Sequence, residues 1–229
     1  MKTLVNVARY HLVDRMMYLA VPWAILAFSF LINLAIAVMA PRPEGGIYSG
    51  GVVTIYVFLL IAGVLSMTRE LPFGLMLGVS RRSYYLGTAL LVLALGIAYG
   101  LALTVLQAVE RASGGWGLSL HYFQVPLIMD GPWYQTWVTS FVLLVLFFVY
   151  GMWYGLVYRR WNLIGLLTFA VAQMLVVAAV AAVLTLTHNW TAFGHFFTTA
   201  RAPALTGVLA ALSVALGFGG FGTIRRATI

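Results

Sequence analysis

Six stretches of this chain are long and oily enough to cross a bilayer, and they leave little sequence for anything else. They run from Tyr18 to Ala40, Gly51 to Met67, Ser83 to Ala108, Tyr134 to Tyr158, Leu163 to Leu186 and Ala204 to Ile224. A hydrocarbon core about 30 Å thick takes roughly 20 apolar residues in a helix. Lipid offers backbone N–H and C=O groups no partners, so such runs must satisfy their own hydrogen bonds as helices. With 63% of residues hydrophobic and only 8% charged, the chain lacks the polar surface of a water-soluble domain. The expectation is an all-α integral membrane protein with six transmembrane helices.

The cations set its direction. Lys2, Arg9, Arg15, Arg69, Arg81, Arg82, Arg159, Arg160, Arg225 and Arg226 fall on one side of the six runs, and only Arg42, Arg111 and Arg201 fall on the other. The positive-inside rule makes the first side cytoplasmic, with both termini on it. The formal charge of +8 therefore belongs to the inner membrane surface and calls for no nucleic acid partner. The first run exceeds a signal-peptide core and reads as a span. Ahead of it, residues 1–17 place Val5, Ala8, Leu12 and Met16 at helical spacing opposite Lys2, Asn6, Arg9 and Asp14, the pattern of an amphipathic interfacial helix. The remainder, 18–229, forms the transmembrane domain, with outer loops at 41–50, 109–133 and 187–203.

No run carries Asp, Glu, Lys, Arg or His near its middle; the polar residues there are Ser29, Asn33, Thr54, Gln107, Ser140, Thr168 and Gln173. None of these cycles a proton, which disfavours a proton-driven carrier and an intramembrane hydrolase. Gln173 reads as an inter-helix hydrogen-bonding group. The absence of cysteine excludes disulfides and Cys-based metal or redox sites. His188 and His195 lack a third ligand in sequence, and Asn189-Trp190-Thr191 is an acceptor sequon only in a glycosylating host. Gly217-Phe218-Gly219-Gly220-Phe221-Gly222 matches a dinucleotide fingerprint by letter but ends a span, with no strand before it. Close helix packing suits it better, as it does the pairs Gly96/Gly100 and Gly151/Gly155. The only lysine is Lys2, so no P-loop exists in this chain. Any driven work takes its energy from another protein.

The segment TRELPFGLMLGVSRRSYYLG, residues 68–87, interrupts the oil on the inner side. Pro72 suits a first helical position, Glu70 the positive end of a helix dipole, and Gly78 a left-handed stop. Ser80 suits the cap of the next helix. Between the stops, Phe73, Met76 and Leu77 stand at i, i+3 and i+4 and share one face. That face, rimmed by Arg69, Glu70, Arg81 and Arg82, fits a groove on a soluble partner.

In these features the chain resembles the permease subunit of a six-span, type V ABC exporter, a family of drug, bacteriocin and polysaccharide exporters. Residues 1–17 resemble its N-terminal elbow helix, and residues 68–82 its coupling helix between the second and third spans. The segment 187–203 resembles its short outer element before the last span. The resemblance implies ATPase coupling through Arg69, Glu70, Pro72, Phe73, Gly74, Met76, Leu77, Gly78 and Arg81. It implies cytoplasmic ABC ATPase subunits that bind ATP and Mg, a second permease copy or close relative, and surrounding membrane lipid as partners. It further implies a place in the cytoplasmic membrane of a bacterium, and no catalytic site or cofactor in this chain itself. The expected cargo is hydrophobic or amphipathic: a drug, lipid or lipophilic peptide. The alternative is a non-transporting scaffold or sensor subunit that docks a cytosolic partner by the same face. The outer segment from Glu110 to Trp133, with Trp116, His121, Tyr122, Phe123 and Asp130, exceeds the family pattern; it reads as an amphipathic lid in preference to an extracellular gate or cargo contact.

Overall fold

A computed structural model describes residues 16–39, 46–125, 131–199 and 202–226. The amphipathic segment expected at 1–17 lies almost wholly outside the described residues. Helix α1 (Met16–Met39) opens with a wide π turn at Met16–Ala20. After the short strand β1 (Ile47–Tyr48), helix α2 (Val53–Met76) is followed by α3 (Arg81–Ala112) and the strand β2 (Leu120–His121). The helical stretch Trp133–Leu186 breaks at Asn162, whose φ of +55° and ψ of −153° lie outside any helix. It therefore consists of two helices, α4 (133–161) and α5 (163–186). Helix α6 (Trp190–Thr199) and helix α7 (Ala202–Arg226) complete the chain.

The break at Asn162 reverses the chain. Continued straight, 54 residues would span about 80 Å, with Tyr150 and Gln173 about 35 Å apart. Instead the hydroxyls of Tyr150 and Tyr154 donate to Gln173 Oε1 at 2.5 and 2.6 Å, and the Tyr154 and Phe169 rings meet edge-to-face at 5.2 Å. These pairs fix an antiparallel hairpin and give Gln173 the inter-helix role its sequence position suggests.

All of the long helices are apolar enough to cross a membrane. The body is built on α4. Helices α2, α3 and α7 pack around it, whereas α5 meets α4 through Gln173 and Phe169 and is exposed along most of its length. Side chains of zero or one carbon set the distances. A methyl on Gly63 would fall on the Phe148 carbonyl, one on Gly151 on the Leu60 carbonyl, and one on Gly155 at 2.8 Å from the Val64 carbonyl. On the other side of α4, Gly96 and Gly100 receive the Phe141 and Trp137 side chains. Both glycine pairs expected as contact faces serve as such, because dispersion rather than water exclusion holds helices together in lipid and rewards close approach. Of the glycines at 217–222, Gly219 and Gly220 pack on Trp153 and Tyr85. Polar groups supply further ties: Thr139 to Thr206 at 2.9 Å, Trp153 Nε1 to the Leu216 carbonyl at 2.9 Å, and Tyr85 to the Gly217 carbonyl at 2.7 Å.

Two departures from the sequence expectation are structural. One is a detail within a fold that is all-α as expected: the two-residue strands β1 and β2 pair in parallel, with Ile47 opposite Leu120 and Tyr48 opposite His121. The second helix does not stop near Met67 but runs on to Met76.

Candidate partner-docking site

The segment 68–82 shows why α2 continues. Proline at position 72 has no N–H to give the Thr68 carbonyl, and its ring crowds that carbonyl in a regular α-helix. The backbone answers with a π turn at Ser66–Glu70, where the Leu71 N–H reaches back to the Ser66 carbonyl. Widening the turn just ahead of Pro72 relieves the clash while keeping helical φ and ψ at Leu65, Glu70 and Leu71. Pro72 is therefore at the second position of Leu71–Met76, inside a continuous helix, and not at a free N-terminus. Glu70 has no helix end to face. Its carboxylate accepts instead from the Tyr18 hydroxyl at 2.9 and 3.1 Å, which ties the segment to the start of α1.

The other end is as the sequence suggests. Gly78 takes φ +80°, its N–H bonds the Leu75 carbonyl at 3.0 Å, and the Val79 N–H bonds the Gly74 carbonyl at 3.0 Å. This is a Schellman stop. Ser80 then caps α3, accepting the Ser83 N–H at 3.1 Å.

Between these points the short helix has two faces. Leu71 and Gly74 turn inward, and the Tyr84 ring lies where a Gly74 side chain would stand, 3.1 Å away. Phe73, Met76 and Leu77 turn outward with 45, 77 and 62% of their surface exposed. Arg69 is exposed beside them and Arg81 is half-buried, while Arg82 stands at the mouth of a groove between α3, α4 and α7. The structure thus brings the expected apolar face together at the arginine-rich end.

The face is tied to the body at several points. Tyr84, fully buried, donates to the Ser66 carbonyl at 2.8 Å and meets the Ser66 hydroxyl at 3.1 Å. Arg159, at the end of α4, reaches the Met67 carbonyl at 3.4 Å. The turn that carries residues 71–77 is thus bonded through Ser66, Met67 and Glu70 to α3, α4 and α1.

The opposite end holds a feature that sequence reasoning missed. Glu110, in the last turn of α3, is completely buried, and its Oε2 accepts from Trp116 Nε1 at 3.1 Å and from the Tyr122 and Phe123 N–H groups at 2.9 Å each. Its Oε1 accepts the Gln124 N–H at 3.1 Å. Between them the chain winds through left-handed φ values at Gly114, Gly115, Trp116, Gly117 and Ser119, which the Gly-Gly-Trp-Gly sequence makes affordable. The result is an aromatic pad. Phe30 of α1 packs against Trp116 at 4.9 Å and Tyr122 at 5.2 Å, and the Tyr122 hydroxyl reaches the Leu26 carbonyl at 3.4 Å. Residues 113–125, within the segment expected as a lid, fold into a pad seated on α1 around Leu26 and Phe30; Asp130 lies outside the described residues. The signal for it was the lone carboxylate at the end of an apolar run, followed by glycines and indole.

Comparison with protein families, with curated proteins and with solved structures finds no match for this chain.

Proposed function

We propose that the chain is the membrane-spanning permease subunit of an ATP-driven exporter of the ABC kind, with α1, α2, α3, α4, α5 and α7 as its six spans and its arginine-rich end in the cytoplasm. The observation that carries this reading is the apolar face of Phe73, Met76 and Leu77, exposed at the cation-rich end on a helix that several side-chain bonds join to the body. A face of this size and shape suits a groove on a soluble subunit. The bonds of Tyr84, Glu70 and Arg159 make it a handle that moves spans rather than a loose tether.

Energy enters from two cytoplasmic ATPase subunits. When ATP draws them together, they displace the two coupling segments of a permease pair and reorient the spans around a pathway between the chains. The second chain is identical or a close relative, and α5 is the favoured place for it. From Met174 to Val177 its residues are 63 to 72% exposed, and Ala178, Ala179, Ala181 and Ala182 allow close backbone approach. The cargo is hydrophobic or amphipathic, in keeping with spans that carry no fixed charge near their centres.

Reconstitution with the ATPase subunit tests the coupling assignment. Phe73→Asp or Leu77→Asp places a carboxylate in the docked apolar contact and weakens subunit binding on the order of 100-fold. Insertion and folding persist, since both side chains are already exposed. Transport at the wild-type rate in both variants removes the coupling role.

A further inference from the structure

A groove of about 510 Å³ runs between α3, α4 and α7 at the arginine-rich end, within the size range of ligand sites, about 300 to 1,000 Å³. Its walls are aliphatic and aromatic, including Leu86, Leu93, Val149 and Phe218, and Arg82 stands at its mouth. No hydrogen bond or ion pair joins Arg82 to another described residue. From Arg82 to Leu93 is eleven residues of α3, or about 16 Å along the helix. That is half of a hydrocarbon core about 30 Å thick, the depth of a single leaflet. The slot thus has a leaflet's length, an apolar interior and a cation at its polar end.

We infer that the groove holds one acyl chain of an anionic phospholipid from the cytoplasmic leaflet, with the headgroup phosphate paired to the Arg82 guanidinium. The chain displaces no packed side chain, because the slot is open between the helices. The guanidinium matches a phosphate in charge and in fork geometry. The inner leaflet is the one in which anionic lipids meet cationic residues most often. The inference rests on the membrane-spanning reading and the orientation of Arg82, and does not need an ATPase.

Gly217 supplies the test. It lines the groove, and no atom lies within 4 Å of where its Cβ would stand, so a side chain there projects into the open slot without striking backbone. The full chain is purified in detergent, mixed with phosphatidylglycerol or phosphatidylcholine, and weighed by native mass spectrometry. The wild type retains one phosphatidylglycerol with about tenfold preference over phosphatidylcholine. Arg82→Gln keeps a bound lipid but loses that preference, and Gly217→Leu loses the bound lipid of either kind, with size-exclusion profiles and thermal midpoints reporting that both variants are folded. Equal retention of the two lipids by the wild type, or retention unchanged in folded Gly217→Leu, overturns the proposal and assigns the lipid to the general boundary layer. Loss of ATPase binding with lipid retention intact bears on the exporter reading alone.

Discussion

Replacing Glu110 should unfold the aromatic pad and leave the helices standing. Of its four donors, the Tyr122 and Phe123 amides belong to buried residues, whereas Trp116 and Gln124 are at the half-buried edge where water can serve. In Glu110→Leu two buried N–H groups are orphaned, at about 1 to 3 kcal/mol each. Part of that is returned because no carboxylate has to be stripped of water. A net loss of about 3 kcal/mol follows, on the order of 100-fold in a local opening equilibrium. Glu110→Gln is milder. Its carbonyl can occupy the Oε2 position and keep three bonds as neutral ones, leaving only the Gln124 N–H facing an NH2 group, for a loss nearer to 1 or 2 kcal/mol. Amide hydrogen exchange in nanodiscs reads both numbers directly. Residues 113–125 should exchange on the order of 100 times faster in the leucine variant and about 10 times faster in the glutamine variant, while α3 and α4 stay protected. Exchange of residues 113–125 within twofold of wild type in Glu110→Leu would refute the argument that this carboxylate organises the segment.

Other substitutions probe other links. Gly151→Leu forces α2 and α4 apart at the Leu60 carbonyl, and a loss of about 3 kcal/mol should appear as a lowered thermal midpoint in detergent. Asn162→Gly relieves a φ, ψ combination that side chains resist and should raise that midpoint by about 1 kcal/mol of stability, whereas Asn162→Val should lower it. Gly78→Val meets no neighbour yet must hold φ +80°, so it should cost about 1 to 2 kcal/mol and unwind the stop after Leu77, read as faster amide hydrogen exchange at residues 73–79; Gly78→Asn should come close to wild type.

The parts of this fold that were legible in the sequence are those set by near neighbours along the chain. Six apolar runs, Gly78 at the left-handed stop, Ser80 at the cap and the spacing of Phe73, Met76 and Leu77 all follow from periodicity or from a single residue's conformational range. The gap between Tyr158 and Leu163 marked the reversal at Asn162, although no glycine or proline announces it. Pro72 misled, because proline fits both a helix start and a helix interior next to a π turn; the choice depends on Tyr84 and Glu70 holding the extension in place. The parallel pairing of Ile47 with Leu120 joins residues 73 positions apart and leaves no periodic trace in two-residue strands. Glu110 was equally opaque, since its partners are mostly backbone amides, which every sequence offers everywhere.

Site-directed cross-linking decides whether residues 71–77 dock an ATPase, as proposed. A photo-cross-linking residue in place of Met76, activated in native membranes before gentle solubilisation, labels whatever covers the exposed face. Mass spectrometry should then find a soluble subunit with a P-loop, stoichiometric with this chain, and the adduct should disappear when Phe73→Asp is added. Adducts to lipid alone, or to a protein without a nucleotide site, from a chain that remains folded, would contradict the exporter account.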